Sequence, residues 1–405
     1  PTCVSSSSTS FPARMPRPPR HAAGAASPGP DAIVNGADAR FMARAMTLAR
    51  RGWYSTRPNP RVGCVLVRSG RAIGEGWHER AGGPHAEVAA IAAARAAGED
   101  PAGASAYVTL EPCAHHGRTP PCVEALVAAG IARVVFGHED PDTRVAGQGL
   151  SQLRAAGIEI AGPVLEDDAR ALNQGFLTRM TYGRPYVRAK VAMTLDARIA
   201  LADGRSQWIT GTAARADGQR LRAGAGAVLT GAGTVAADDP ALTVRDARFA
   251  SALPGQPLRV VMDRTLRGAN GDRKIADTAL APTLVFSEPD ATARASALTA
   301  AGVEVSTEVP VTPANVLRAL AERAVNDVLV EAGPQLTVVF IRADRGDELI
   351  VYLAPKLLGR AALDGFDVPS PAVLAECRDF ELVETRRIGE DLRLTLWPRK
   401  DTAEA

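Results

Sequence analysis

Pro84-His85-Ala86-Glu87, answered by Thr109-Leu110-Glu111-Pro112-Cys113 and then by Pro120-Pro121-Cys122, decides the reading of the first half of this chain. One imidazole and two thiols can form the donor set of a catalytic zinc, with a carboxylate beside them that need not ligate. Three protein ligands leave one tetrahedral position open, and Glu87 is placed to move a proton. Prolines ahead of His85 and Cys122 put both residues at helix starts, where the positive end of the dipole favours a thiolate. A closed structural site is the competing reading, with His115 or His116 as fourth ligand, but it leaves Glu87 without a purpose.

Around these motifs the pattern alternates between periods. Phe41, Met42, Ala45, Met46, Leu48 and Ala49 recur at helical spacing, which predicts a first helix with Asp38 as its N-cap. Val62 to Val67, the turn Ser69-Gly70 and Ala72 to Gly76 predict a hairpin, and Cys64 within that run reads as a core thiol. A helix from the His85 motif to Gly98 follows, then a strand over 106–110, a helix over 122–129 and a strand over 132–137. Strand and helix in this order predict a three-layer α/β domain.

A second α/β series begins near Pro185, after the turn formers Gly183 and Pro185. Strands are expected over 186–193, 227–230, 258–262, 283–286, 327–331 and 348–353, helices over 213–223, 291–301 and 313–324, and a closing hairpin over 380–397 through Gly389. The expected organisation is a tail over 1–36, one domain over 37–182 and another over 183–400.

The bulk composition excludes several classes of function. The 405 residues exceed one ordinary domain, and a formal net charge of +2 gives no basic excess for nucleic acid or an anionic membrane. No run of 18 apolar residues is present, so no membrane span is expected. Five cysteines, with Cys3, Cys64 and Cys377 scattered outside the zinc motif, do not form a disulfide framework and favour a reducing compartment. The Ser-, Pro- and Arg-rich tail is expected to be disordered, or to be upstream translated sequence ahead of Met15; its prolines oppose the amphipathic helix of an import signal.

The general signature of zinc nucleobase deaminases is H-x-E followed by P-C-x-x-C, whereas eight residues separate Cys113 from Cys122 here. Together with Pro58-Asn59-Pro60-Arg61-Val62-Gly63-Cys64, the two motifs and the long loop through His115-His116-Gly117-Arg118-Thr119 resemble the bifunctional deaminase and reductase family of riboflavin biosynthesis. The long loop is that family's own form. The resemblance implies a cytidine-deaminase-like domain that hydrolyses the 2-amino group from a phosphorylated diaminopyrimidinone. It also implies one Zn2+ on His85, Cys113 and Cys122, Glu87 as proton shuttle and Asn59 as a pyrimidine contact; His115, His116, Arg118 and Thr119 are candidates for phosphate or ribose, or simply a solvated loop.

Ser206-Gln207-Trp208-Ile209-Thr210, then Thr234-Val235 with Asp238-Asp239-Pro240-Ala241-Leu242-Thr243-Val244-Arg245, and Glu331-Ala332-Gly333-Pro334 resemble the reductase half of the same family. The implied fold is α/β of the dihydrofolate-reductase type, and the implied cofactor is NADPH. Ala192, Trp208, Thr234, Asp238 and Gly333 match cofactor positions. Lys190 and Asp196 lie close by, on the first strand and at its exit. Ser206, Arg222, Leu242, Arg245 and Glu331 match substrate positions, with Lys190 counted among them, and the two arginine forks suit a sugar phosphate. Gly231-Ala232-Gly233-Thr234-Val235-Ala236 also fits a dinucleotide fingerprint, but Asp238-Asp239-Pro240 would end the required helix at once, so these glycines are read as a phosphate-approaching loop.

Two departures matter. Ala197 follows Asp196 where the family usually has Gly, and Thr337-Val338-Val339 carry bulk after Gly333-Pro334, which predicts hindered approach of NADPH phosphates. The leading expectation is a cytoplasmic homo-oligomer acting on small phosphorylated pyrimidines. Its rivals are a deaminase with a degenerate second domain and a zinc-stabilised nucleic-acid-binding protein, the latter opposed by near-neutral charge and the lack of an aromatic-basic stripe.

Overall fold

A computed structural model describes residues 35–115, 120–141 and 146–399. Most of the expected tail, Cys3, His116, Arg118 and Thr119 lie outside the described residues. The first half runs α1 (Gly36–Ala49), β1 (Gly63–Arg68), β2 (Arg71–Trp77), α2 (Ala86–Ala96), β3 (Ser105–Val108), α3 (Cys122–Ala128), β4 (Arg133–Phe136), α4 (Gln148–Ala155) and β5 (Glu159–Ala161). Its strands lie in the order β2-β1-β3-β4-β5, antiparallel from β2 to β3 and parallel from β3 to β5.

Strand alternation sorts this sheet's side chains into two cores. Cys64, Leu66, Ala106 and Val108 pack with Ala90 of α2, Leu126 of α3 and Leu153 of α4. Val65, Val67, Tyr107 and Val135 pack on the other face with Met42 and Met46 of α1. Helices on both faces give the expected three layers, and Cys64 is the buried core thiol anticipated, its pKa pushed well up by burial.

The start of α1 differs from expectation. Asn35 is the N-cap, and Asp38 sits at the third helical position, returning a bond from the Asn35 backbone at 3.0 Å in a capping box. Asp38 is drawn inward because Arg133 and the Tyr107 hydroxyl both bind its Oδ1 at 2.8 Å.

Two helices, α5 (Glu166–Leu172) and α6 (Gln174–Tyr182), lead to the second half. There the chain forms β6 (Tyr186–Thr194), β7 (Arg198–Ala200), α7 (Thr212–Gly224), β8 (Ala227–Gly231), α8 (Ala232–Asp238), α9 (Ala247–Ala250), β9 (Leu258–Met262), β10 (Thr283–Phe286), α10 (Thr292–Ala300) and β11 (Glu304–Ser306). It continues through α11 (Pro313–Glu322), β12 (Asp327–Val330), α12 (Pro334–Arg342), β13 (Glu348–Ala354), β14 (Leu363–Asp364), β15 (Phe380–Ile388) and β16 (Asp391–Pro398). One sheet has the order β11-β10-β9-β8-β12-β6-β13-β16-β15, parallel from β11 to β13 and closed by the antiparallel hairpin β15-β16. Its parallel strands read as near-continuous apolar runs because helices cover both faces.

One further expectation is corrected. Gly231 is the N-cap of α8, so the glycine segment is a short helix and not a loop; it stops at Asp239, whose φ of 40 is left-handed. Of the bulk after Gly333, Thr337 and Val338 turn into the core while Val339 is 43% exposed, and a Cβ on Gly333 would meet only Thr234 Oγ1, at 3.8 Å. Ala197 does occupy a position that favours glycine, with φ of 57.

Candidate functional site

His85 is the N-cap of α2 and Cys122 opens α3 directly after Pro121, so both helices aim their first residues at one point. Cys113 comes from the segment after β3. His85 Nδ1 lies 3.2 Å from Cys122 Sγ and 3.5 Å from Cys113 Sγ, and the three ligand atoms all lie within 4.8 Å of one another. Zinc bonds of ordinary length in a tetrahedron place an imidazole nitrogen about 3.6 Å from a thiolate sulfur, so the donor set fits the ion. Among the described residues no fourth His or Cys joins the cluster, and His115 is exposed.

The electrostatics suit a proton carrier beside a metal. Glu87, in the first turn of α2, is 3% exposed; burial and then the neighbouring Cys113 push its carboxyl up to about 7. A hydrogen bond with Cys122, and then one with His85, holds Cys113 down at about 4, and the same pairing pushes Cys122 up. The Cys122 backbone N–H also donates to Cys113 Sγ at 3.4 Å.

Asn59 reaches this centre through a residue the motifs did not reveal. His78 Nδ1 donates to the Pro84 carbonyl at 3.0 Å; a carbonyl can only accept, so Nε2 of the neutral ring accepts from Asn59 Nδ2, also at 3.0 Å. The two histidine rings, His78 and His85, stand edge to face with centroids 5.2 Å apart. Nothing in the spacing of Trp77-His78-Glu79 signals this role. Glu111 was equally silent: its buried carboxylate accepts from the backbone N–H groups of Asp140, Gly147 and Gly149 at 3.0–3.1 Å, which fixes the segment behind the cysteines.

The second constellation forms at the carboxyl ends of neighbouring parallel strands β8, β12 and β6, where α/β sheets present ligand crevices. Glu331 follows β12, Lys190 lies on β6, Arg222 near the end of α7 and Arg245 beyond α8. Burial acts to raise the Glu331 carboxyl, but Arg222, Lys190 and Arg245 hold it down at about 2. The Arg222 fork is taken by Glu331, with Nη1 on the Thr243 carbonyl at 3.0 Å, so it organises the cluster and is not the free anion fork expected. Lys190 and Arg245 make no side-chain hydrogen bond among the described residues, although Lys190 lies 5.7 Å from the Tyr352 ring centroid.

Thr234 and Gly333 are brought together: the Gly333 N–H, at the N-cap of α12, donates to Thr234 Oγ1 at 3.1 Å. Two helix starts, α8 and α12, therefore stand side by side, an arrangement suited to phosphate. Trp208 is 63% exposed, with the Arg215 guanidinium 4.5 Å from its ring centroid. Ala192 is half-buried on β6, Ser206 is half-buried in the segment before α7, Asp238 is the exposed last residue of α8, and Leu242 is buried with a left-handed φ of 52. Asp196 instead ties the exit of β6 to the loop at Leu358 and Gly359, whose N–H groups it accepts at 3.1 and 2.8 Å.

Comparison with known proteins places both halves. Residues 36–138 match the model described as the cytidine and deoxycytidylate deaminase zinc-binding region, and residues 185–394 match the RibD C-terminal domain. The chain is 45% identical over 371 residues to the riboflavin biosynthesis protein RibD of Escherichia coli (strain K12), covering 89% of this chain and 99% of that protein. It is 44% identical to the protein of the same name from Haemophilus influenzae, covering 89% and 98%. The solved structure of Acinetobacter baumannii RibD, form 1, is 43% identical with a TM-score of 0.82, covering 90% and 99% of the two chains. A Thermotoga maritima structure described as a diaminohydroxyphosphoribosylaminopyrimidine deaminase and 5-amino-6-(5-phosphoribosylamino)uracil reductase is 36% identical with a TM-score of 0.81, with the same coverage. A deaminase-like zinc centre and a reductase-type sheet on one chain, matched by these relatives over 89–90% of its length, mean that the chain belongs to the RibD family of bifunctional deaminase–reductases of riboflavin biosynthesis.

Proposed function

We propose that the chain hydrolyses the 2-amino group of 2,5-diamino-6-(5-phosphoribosylamino)pyrimidin-4(3H)-one and then reduces the ribosyl group of the product to ribityl with NADPH. The observation that carries the first step is the convergence of His85, Cys113 and Cys122 with a buried Glu87 whose carboxyl is pushed up to about 7. When bound, zinc supplies a Lewis acid that activates water. Glu87 would take a proton from the attacking water and return it to the departing amine; a carboxyl near neutrality suits both duties. Asn59, with its Nδ2 committed to His78, keeps Oδ1 as an acceptor for a pyrimidine N–H.

In the second half Thr234, Gly333, Ala192, Trp208 and Asp238 would hold NADPH, which supplies hydride when bound. Lys190, Arg245, Ser206 and Leu242 would contact the substrate, with Arg222 and Glu331 setting the charge around it. The deaminase unit is assigned to 37–182 and the reductase unit to 183–400. The chain has no helix long and apolar enough to cross a membrane among the described residues, and we assign it to the cytoplasm. We also expect self-association; the reductase half exposes the apolar side chains of Leu357, Val368, Val373, Leu374 and Leu382.

Incubation of the purified chain with the diaminopyrimidinone phosphate, with and without NADPH, tests the assignment by mass spectrometry. Deaminated product is expected without NADPH, and deaminated, reduced product with it. Recovery of unchanged substrate from zinc-loaded protein would overturn the first step, and failure to reduce the deaminated product would favour a degenerate second half.

A further inference from the structure

The segment that carries Asn59 is held from both halves of the chain. Asn59 sits between two anchored backbone positions. On its C-terminal side, Arg61 exchanges hydrogen bonds with the Asn173 side chain: Arg61 N donates to Oδ1 at 2.7 Å and Nδ2 donates to Arg61 O at 2.9 Å. On its N-terminal side, the Pro58 carbonyl accepts from Asn326 Nδ2 at 2.7 Å, across 268 positions of sequence.

Asn326 belongs to the reductase half, immediately ahead of β12. It is 7% exposed, and its Oδ1 accepts from Arg179 Nε at 2.6 Å. Its neighbour Asp327 is also buried, bonded to Arg188 at 2.8 Å and 4.0 Å from the Arg61 guanidinium. Arg61 in turn donates to the Leu172 carbonyl at 2.7 Å and stacks on Trp53 with its carbon 4.1 Å from the ring centroid. The start of β12 is thus a rigid shelf under the loop that presents Asn59 to the zinc centre.

We infer that Asn326 is a positioning residue for deamination, acting through the Pro58 carbonyl on Asn59, so that the reductase half completes the substrate site of the other half. Asn326 touches neither substrate nor metal. It fixes the backbone one residue before Asn59, while His78 fixes the Asn59 side chain relative to Pro84 and His85. The inference rests on Asn59 as the pyrimidine contact.

The test is N326D in the full chain. The carboxylate keeps an acceptor for Arg179 but cannot donate to Pro58 O. Loss of one buried hydrogen bond should raise the KM of deamination about fivefold; kcat, zinc content and the reduction of deaminated substrate should stay within about twofold, because uniform binding is what is lost. In an N59A background the same substitution should have no further effect on KM. If N326D does not fold, N326A replaces it beside R179L: N326A should raise KM, and R179L, which leaves the Pro58 bond, should not. A wild-type KM in the Asn326 variant, or a full effect persisting in N59A, would overturn the positioning role. An unchanged KM in N59A alone would instead overturn the assignment of Asn59.

Discussion

Arg222 holds Glu331 through two arms, Nε to Oε1 at 2.5 Å and Nη2 to Oε2 at 2.9 Å, at the carboxyl ends of strands that carry the second site. The side chains are 13% and 15% exposed, so the pair lies under the crevice and not on the surface. With Lys190 and Arg245 nearby, three cations surround one anion, a surplus of positive charge that suits the phosphate of the proposed substrate. Arg222→Ala would leave Glu331 poorly compensated and would return Lys190 to it as a counter-ion. The expected result is a fall in kcat/KM for reduction of about a hundredfold, on the order of 3 kcal/mol. Deamination should be unchanged; NADPH oxidation with deaminated substrate measures the first and ammonia release the second.

On the proposed mechanism Glu87 separates zinc binding from proton transfer, because it stands outside the cluster of His85, Cys113 and Cys122. Glu87→Gln should retain zinc and the fold while deamination falls by about two to four orders of magnitude. NADPH-dependent reduction should persist at the wild-type rate, and chelation of zinc should reproduce the same split. Normal ammonia release from E87Q, with metal content checked by atomic absorption, would remove Glu87 from the mechanism.

Ala197 carries a left-handed φ of 57, is exposed, and makes its turn through a bond from its N–H to the Thr194 carbonyl at 2.9 Å. A Cβ is disfavoured there, and an exposed methyl buries little surface that a glycine would lose. Ala197→Gly is expected to stabilise the reductase half by about 0.5–1 kcal/mol. Thermal unfolding of the two proteins side by side would show the rise; a lower Tm for the glycine variant would mean that the conformation carries no strain.

His138 is buried, with Nε2 2.8 Å from the Arg170 guanidinium, and burial followed by that charge pushes its pKa down to about 4. In the unfolded chain the imidazole titrates near its ordinary 6.5. The unfolded state therefore binds the proton first as pH falls, and stability is lost between about 6.5 and 4. The loss is bounded at roughly 3 kcal/mol. Denaturant titrations from pH 7 to pH 4.5 should show this decline, and His138→Gln should flatten it; an equal slope in the variant would assign the acid sensitivity elsewhere.

The zinc centre was legible in the sequence because its parts are local. Proline, ligand and helix start lie within a few residues at each of the two helices, and the strand-helix alternation needs only periodicity. The reductase strands were legible for the same reason: apolar runs such as Leu258 to Met262 and Thr283 to Phe286 are complete in themselves. The helix start at Asn35 was not legible because capping depends on which of two nearby polar side chains is pulled inward, and Arg133 decides that from 95 positions away; the short α8 was not legible because its N-cap, Gly231, has no side chain to signal a start.

By itself the sequence determined two α/β halves, the donor set His85, Cys113 and Cys122, and the carboxylate that serves it. Only the tertiary structure decided that His78 orients Asn59, that Arg222 spends its fork on Glu331, and that Asn326 of one half grips Pro58 of the other. Hydrogen bonds between side chains or backbone groups far apart in sequence leave no spacing or period to read; they exist only once both sheets have formed and brought their ends together.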